Sequence, residues 1–163
     1  MPLIKNGAEA ETSSHYVEDG ESLPESKSLT VSLARWCAEA DTLSQRNSLI
    51  GVRLMPEDEP AELMPWLDKL QLIEVSFPKY TDGRGYSQAQ LLRRRLGYRG
   101  ELRAVGHVLR DQILYMHRSG IDAYQTSRAN LSSVLEALDE YSDVYQPAAD
   151  ARPSVFARRH EKT

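Results

Sequence analysis

The sequence predicts an α/β fold with a mainly parallel sheet, on three observations. Short apolar runs rich in Val, Ile and Leu alternate with helical patterns through residues 28–146. Turn and cap residues separate them: Pro56, Pro60, Gly97 and Gly120. The alternating order, with helical stretches of roughly ten residues, is that of βαβ units, and about five such units fit the length. An open three-layer sandwich is the first arrangement to expect, and a partial βα barrel is the alternative. Either way, ligands belong at the carboxyl ends of the strands.

The elements follow in order. Leu29-Thr30-Val31-Ser32-Leu33 reads as a strand, and residues 34–45 as a helix with Ala34, Cys37, Ala38 and Asp41 at turn spacing. Leu49 to Leu54 is a strand bounded by Pro56. Residues 61–70 are predicted helical, with Pro60 near the first turn, where its missing N–H does no harm. Leu72 to Phe77 is a strand and residues 88–96 a helix, with Ser87 and Gln90 fitting a capping box and Gly97 the stop. Glu101 to Val105 is a strand, and residues 108–118 a helix ended by Gly120. Ile121 to Tyr124 is a short strand. Residues 130–141 form the last helix, with Leu131, Val134, Leu135 and Leu138 on one face. Three units result: an amino-terminal segment, residues 1–27, as a tail or an edge hairpin through Leu3-Ile4 and His15-Tyr16-Val17; a single domain, residues 28–146; and an extended tail, residues 147–163, on which Phe156 docks back.

Composition narrows the classes. The chain has 163 residues, 40% hydrophobic and 27% charged, as in one soluble globular domain. No apolar run approaches the roughly 18 residues that a membrane helix needs. Residues 1–20 lack the apolar core of a secretory signal, so the cytoplasm is the expected compartment. The single cysteine, Cys37, permits no internal disulfide and no cysteine-only metal site, and reads as a buried structural thiol.

Charge is unevenly placed. The net charge is −4, yet residues 76–118 carry nine cations (Lys79, Arg84, Arg93, Arg94, Arg95, Arg99, Arg103, Arg110, Arg118) against three acids (Asp82, Glu101, Asp111). Residues 9–25 carry six acids, Glu25 the last, and no Lys or Arg. The basic stretch suits an anion or an acidic partner surface, or is in part a solvated helix face. Nucleic acid is not expected, given the overall acidity and the lack of a binding motif.

The run Phe77-Pro78-Lys79-Tyr80-Thr81-Asp82-Gly83-Arg84-Gly85-Tyr86-Ser87 is the most informative stretch. A strand, a loop with two glycines and two cations, and a helix start make a recurrent anion site. Gly83 and Gly85 either adopt positive φ and bring N–H groups to a ligand, or simply form a tight turn. Gly83-Arg84-Gly85 lacks the third glycine of a dinucleotide fingerprint, and Arg103 stands where an acid would end the next strand. Arg103, His107, Arg110 and Asp111 form a second cluster on the same edge, with the 125–128 segment (Gln125 to Arg128). His107 is a candidate acid or base, or a cap. An ion pair of Asp111 with Arg84 or Arg103 would brace the loop.

The same motif, with Gly100-Glu101-Leu102-Arg103-Ala104-Val105-Gly106, Val108-Leu109-Arg110-Asp111-Gln112 and Gly120-Ile121-Asp122-Ala123-Tyr124, resembles a bacterial family known as domain of unknown function 934. The resemblance runs from about Ser28 to Gln146. It implies a place beside the sulfite reductase hemoprotein, and the role to expect there is an accessory of assimilatory sulfite reduction that binds a small anion or docks on the reductase through the Lys79/Arg84 loop. The other role it implies is an oxidoreductase that passes electrons through a flavin or nicotinamide nucleotide, although no residue of the chain requires a cofactor. Two positions depart from the family pattern: His107 stands where an acid is expected and Ser119 where a cysteine is.

Overall fold

The computed structural model of the chain describes residues 2–11, 14–24, 28–127, 129–150 and 152–160. Eight strands build one sheet: β1 (Leu3–Lys5), β2 (Ala8–Ala10), β3 (Ser14–Tyr16), β4 (Ser28–Ser32), β5 (Ile50–Leu54), β6 (Leu72–Phe77), β7 (Glu101–Gly106) and β8 (Ala123–Gln125). Their spatial order is β2-β1-β8-β7-β6-β5-β4-β3. Strands β3 to β8 run parallel, and β1 returns antiparallel to both β8 and β2.

The α-helices are α1 (Leu33–Leu43), α2 (Arg84–Gln90), α3 (Ile113–Arg118), α4 (Leu131–Leu138) and α5 (Val155–His160). A 3-10 helix, Pro60–Trp66, joins β5 to β6, and a π turn, Leu91–Arg95, continues α2.

Strand alternation decides where the core lies. Leu29, Val31, Val52, Leu54, Ile73, Val75, Phe77, Leu102 and Ala104 face one side and pack with Trp36, Leu43, Leu63, Leu92, Ile113, Met116 and Val134 from the helices. The intervening residues, Thr30, Arg53, Glu74, Glu101 and Arg103, face the other side. A sandwich layered on both faces would need apolar residues on both. The sheet is therefore the barrel-like alternative: helices cover one face, and the other face curls in on itself. Chain connectivity agrees, since the outermost strands β2 and β3 are separated only by residues 11–13. Ala10 and Ser14 thus stand no more than about 14 Å apart.

Several elements differ from the sequence expectations, each for a local reason. Leu3-Ile4 does not pair with residues 15–17. The turn at Asn6-Gly7, both at positive φ, closes a hairpin of β1 on β2, while β3 joins the opposite edge beside β4. Residues 60–66 wind as a 3-10 helix with Pro65 inside, a residue that gives no N–H to an α-helical ladder. Helix α2 begins four residues earlier than residue 88, because Asp82 accepts the Arg84 N–H; Ser87 lies within the helix and caps nothing. Residues 108–118 break into an extended stretch, a 3-10 turn at Arg110–Gln112 and the short α3. Asn130 caps α4 with a reciprocal Ser133 bond. The carboxyl-terminal tail carries α5 rather than running extended throughout; Phe156 is half exposed and meets Tyr145 edge-on at 5.4 Å. Cys37 is exposed on α1, and burial, with Glu62 and Asp58 nearby, pushes its thiol pKa up. Among the described residues, no helix is long and apolar enough to cross a membrane.

Candidate functional site

The Phe77–Ser87 loop leaves β6 at the carboxyl edge of the sheet and turns at once into α2. Its own carboxylate answers its cations. Asp82 accepts from Arg84 Nε at 3.0 Å, Arg84 Nη2 at 2.7 Å and the Arg84 N–H at 3.1 Å. These bonds hold the Asp82 pKa down to about 2. Neither Gly83 nor Gly85 has positive φ, so the left-handed turn expected of them is not present. Gly85 is required for packing: a Cβ would lie 2.7 Å from the Phe77 ring. Lys79 and Thr81 are exposed, and Lys79 makes no ion pair. Tyr86 packs edge-on against Phe77 at 5.3 Å between ring centroids.

The second cluster disperses. The His107 N–H donates to Phe77 O at 2.7 Å, its ring lies 6.1 Å from Tyr80, and its Nδ1 is buried without a partner. Gly106 permits that crossing at φ +94°, where a Cβ would strike Phe77 O. Gln112 ties the loop down through Nε2 to Tyr80 O at 2.9 Å. Arg110 pairs with Glu140 at 3.0 Å on the surface. Asp111 is exposed and pairs with neither Arg84 nor Arg103; it faces Tyr86 across the groove between α2 and α3. Thr126 follows β8 and is buried, with its hydroxyl donating to Val108 O. Arg128 lies outside the described residues, as does Glu25 of the acidic run.

Arg103 is not at the edge at all. It points into the curled face and is 2% exposed. Its Nε and Nη2 meet Glu101 at 2.7 and 2.6 Å, and its Nη1 meets Ser14 Oγ at 2.6 Å and Glu74 at 3.4 Å. Glu74, equally buried, also accepts from Arg53 Nε at 2.8 Å and from the Thr30 hydroxyl at 3.0 Å. Lys5 closes the chain on Glu101 at 2.6 Å, and the Arg53 guanidinium stacks 4.0 Å over Tyr16. The β-ladders place Arg53, Glu74 and Arg103 directly side by side. In the low-dielectric interior each ion is tolerable only because its neighbours satisfy it. Sequence reasoning missed this network. Its signal was a charged residue inside each of three neighbouring strands: Arg53 in β5, Glu74 in β6, and Glu101 and Arg103 two places apart in β7.

The free cations lie elsewhere. The π turn separates three consecutive arginines. Arg93 turns inward, donating to Gly120 O, Tyr98 O, Gly100 O and Asp122 at 2.6–2.9 Å. Arg94 and Arg95 remain outside, and with Arg99 they are exposed and make no ion pair among the described residues. Tyr86, Gln90 and Arg94 then form one stripe along α2, facing Asp111, Tyr115, Arg118 and Ser119. Between them lies a groove of about 640 Å³, walled at one end by Gln146 to Ala148 of the tail. Burial pushes the Tyr86 phenol pKa up, with Asp111 and Tyr115 adding to it across the groove.

The fold and these surfaces define an α/β half-barrel with a basic helix face. The chain matches the model of a bacterial family of proteins of unknown function, DUF934, over residues 51–156, and it belongs to that family. No curated protein matches it.

Proposed function

We propose that the protein is an accessory of assimilatory sulfite reduction, docking on the sulfite reductase hemoprotein through an acidic patch of that partner. The observation that carries the reading is that Arg95, the last residue of the π turn, and Arg99, four residues on, are exposed and make no ion pair among the described residues, while Arg84, Arg93, Arg103 and Arg110 are each matched by an acid. Unmatched guanidinium groups on a protein of net charge −4 create a local field that steers an acidic surface into register. Lys79 adds a second, separate cation at the carboxyl edge. The Phe77–Ser87 loop contributes shape rather than free charge, because Asp82 already holds Arg84. The link to sulfite reduction rests on the family resemblance; the geometry supports charge recognition.

The test is a binding titration of the purified protein against the reductase hemoprotein at two salt concentrations. The expected result is saturable binding that weakens tenfold or more on raising salt from 50 to 200 mM, and likewise in Arg95→Glu/Arg99→Glu. Binding unchanged in that variant, or no binding by the unaltered protein, overturns the proposal.

A further inference from the structure

The groove between α2 and α3 differs in kind from the docking face, and the inference drawn from it does not depend on that reading. Both helices leave adjacent parallel strands, β6 and β7, and run side by side. The groove consequently has chemically distinct ends. At one end stands Asp111, exposed and with no ion pair among the described residues, beside Gln112, whose Nε2 donates to Tyr80 O. The Asp111 carboxylate is an acceptor awaiting a donor. At the other end stand Arg94, Arg118 and Ser119. Among the described residues, Arg94 makes no ion pair, Arg118 gives one N–H to Gln146 O, and the Ser119 hydroxyl has no hydrogen-bond partner. The eight helical steps from Tyr86 to Arg94 span about 12 Å. Tyr86 and Tyr115 line the stretch between.

From these observations we propose that the groove binds a nucleoside monophosphate whose base carries an exocyclic amine. The amine meets Asp111, the base lies against Tyr86 and Tyr115, and the phosphate meets Arg94, Arg118 and Ser119. Two arginines against one aspartate leave the lining positive, as a phosphate monoester requires. Aromatic faces hold a base by stacking without reading its sequence context. The volume lies within the range of small-ligand clefts, about 300–1,000 Å³. Ser119 is itself the position at which the family resemblance predicts a cysteine, and here it supplies a hydroxyl donor instead of a thiol.

Calorimetric titration of the full chain with adenosine monophosphate tests the proposal, with adenosine, ribose 5-phosphate and inosine monophosphate as comparisons. Saturable binding of adenosine monophosphate is expected, weakened tenfold or more when either base or phosphate is removed. Inosine monophosphate, with a carbonyl in place of the amine, binds several-fold more weakly. Arg94→Ala lowers the affinity for adenosine monophosphate tenfold or more and leaves adenosine unaffected. Lys69→Ala, outside the groove, leaves both unchanged. Arg94 is exposed, so this variant folds, and circular dichroism checks it. No saturable binding at millimolar nucleotide overturns the proposal, as does equal affinity in Arg94→Ala. Ribose 5-phosphate binding as tightly as the nucleotide reduces the site to general anion attraction and overturns it too.

Discussion

Glu74 is where a single side chain carries most. Its two oxygens serve Arg53, Arg103 and Thr30 in an interior that water does not reach. Removing it leaves two guanidinium groups short of their acceptor, and breaking a buried pair costs about 3–5 kcal/mol. Glu74→Ala therefore lowers the urea midpoint by an amount equivalent to that loss, and a Glu74→Leu/Arg103→Met double replacement recovers much of it. Asp82 behaves differently because it stands at the surface. Its folded pKa, about 2, lies below the ordinary value near 3.9. The stabilisation it gives is complete above pH 4 and lost as pH falls toward 2. A carboxyl NMR titration should place its midpoint near 2, and Arg84→Ala should return it to the ordinary carboxylate range. Both residues were visible in the sequence, Asp82 as part of a motif and Glu74 only as a charge inside a strand. The motif's cations suggested an outside anion, whereas an Asp two residues before an Arg can close the site from within. No local pattern announces that closure, since it depends on the turn at residues 79–82.

Among the elements, α2 shows how far periodicity reaches. Its existence follows from Ala89, Leu92 and the glycine at Gly97, and the structure has a helix there. Its start was misread because Ser87 and Gln90 match a capping pattern that the Asp82 turn pre-empts. The π turn that redirects Arg93 inward follows from no sequence rule; it results from Arg93 finding four acceptors in the loops before β7 and β8. The β6–α2 junction also makes a sharp demand on Gly85. Gly85→Ala forces a methyl into the Phe77 ring, and overpacking of this kind costs about 1–3 kcal/mol. For a chain of this size that is a fall in Tm of several degrees in a thermal scan. Asn130→Ala, which deletes the α4 cap, should cost about 1 kcal/mol in the same assay.

For the whole molecule, the strand–helix alternation was enough to predict a parallel α/β architecture, and the polar residues at alternate strand positions separate the half-barrel from the sandwich. The pairing of the amino-terminal strands was not legible, because Leu3–Lys5 is three residues long and its partner β8 lies more than a hundred residues further along the chain. The strands are nonetheless integral: Ile4 is buried in the core and Lys5 completes the ion network. Removing residues 1–11 should expose the β8 edge, and size-exclusion chromatography should then show aggregates rather than a monomer-sized peak. The pairing of Leu3 with Gln125 also has a consequence in time. A ribosome adding about 5–20 residues per second needs on the order of ten seconds between these two positions. For that interval the first hairpin emerges with no neighbour, and the ions of the interior remain hydrated. Seating β1 is thus among the last steps of birth, and a nascent chain halted before residue 125 carries an unclosed, water-filled sheet that a chaperone can still recognise.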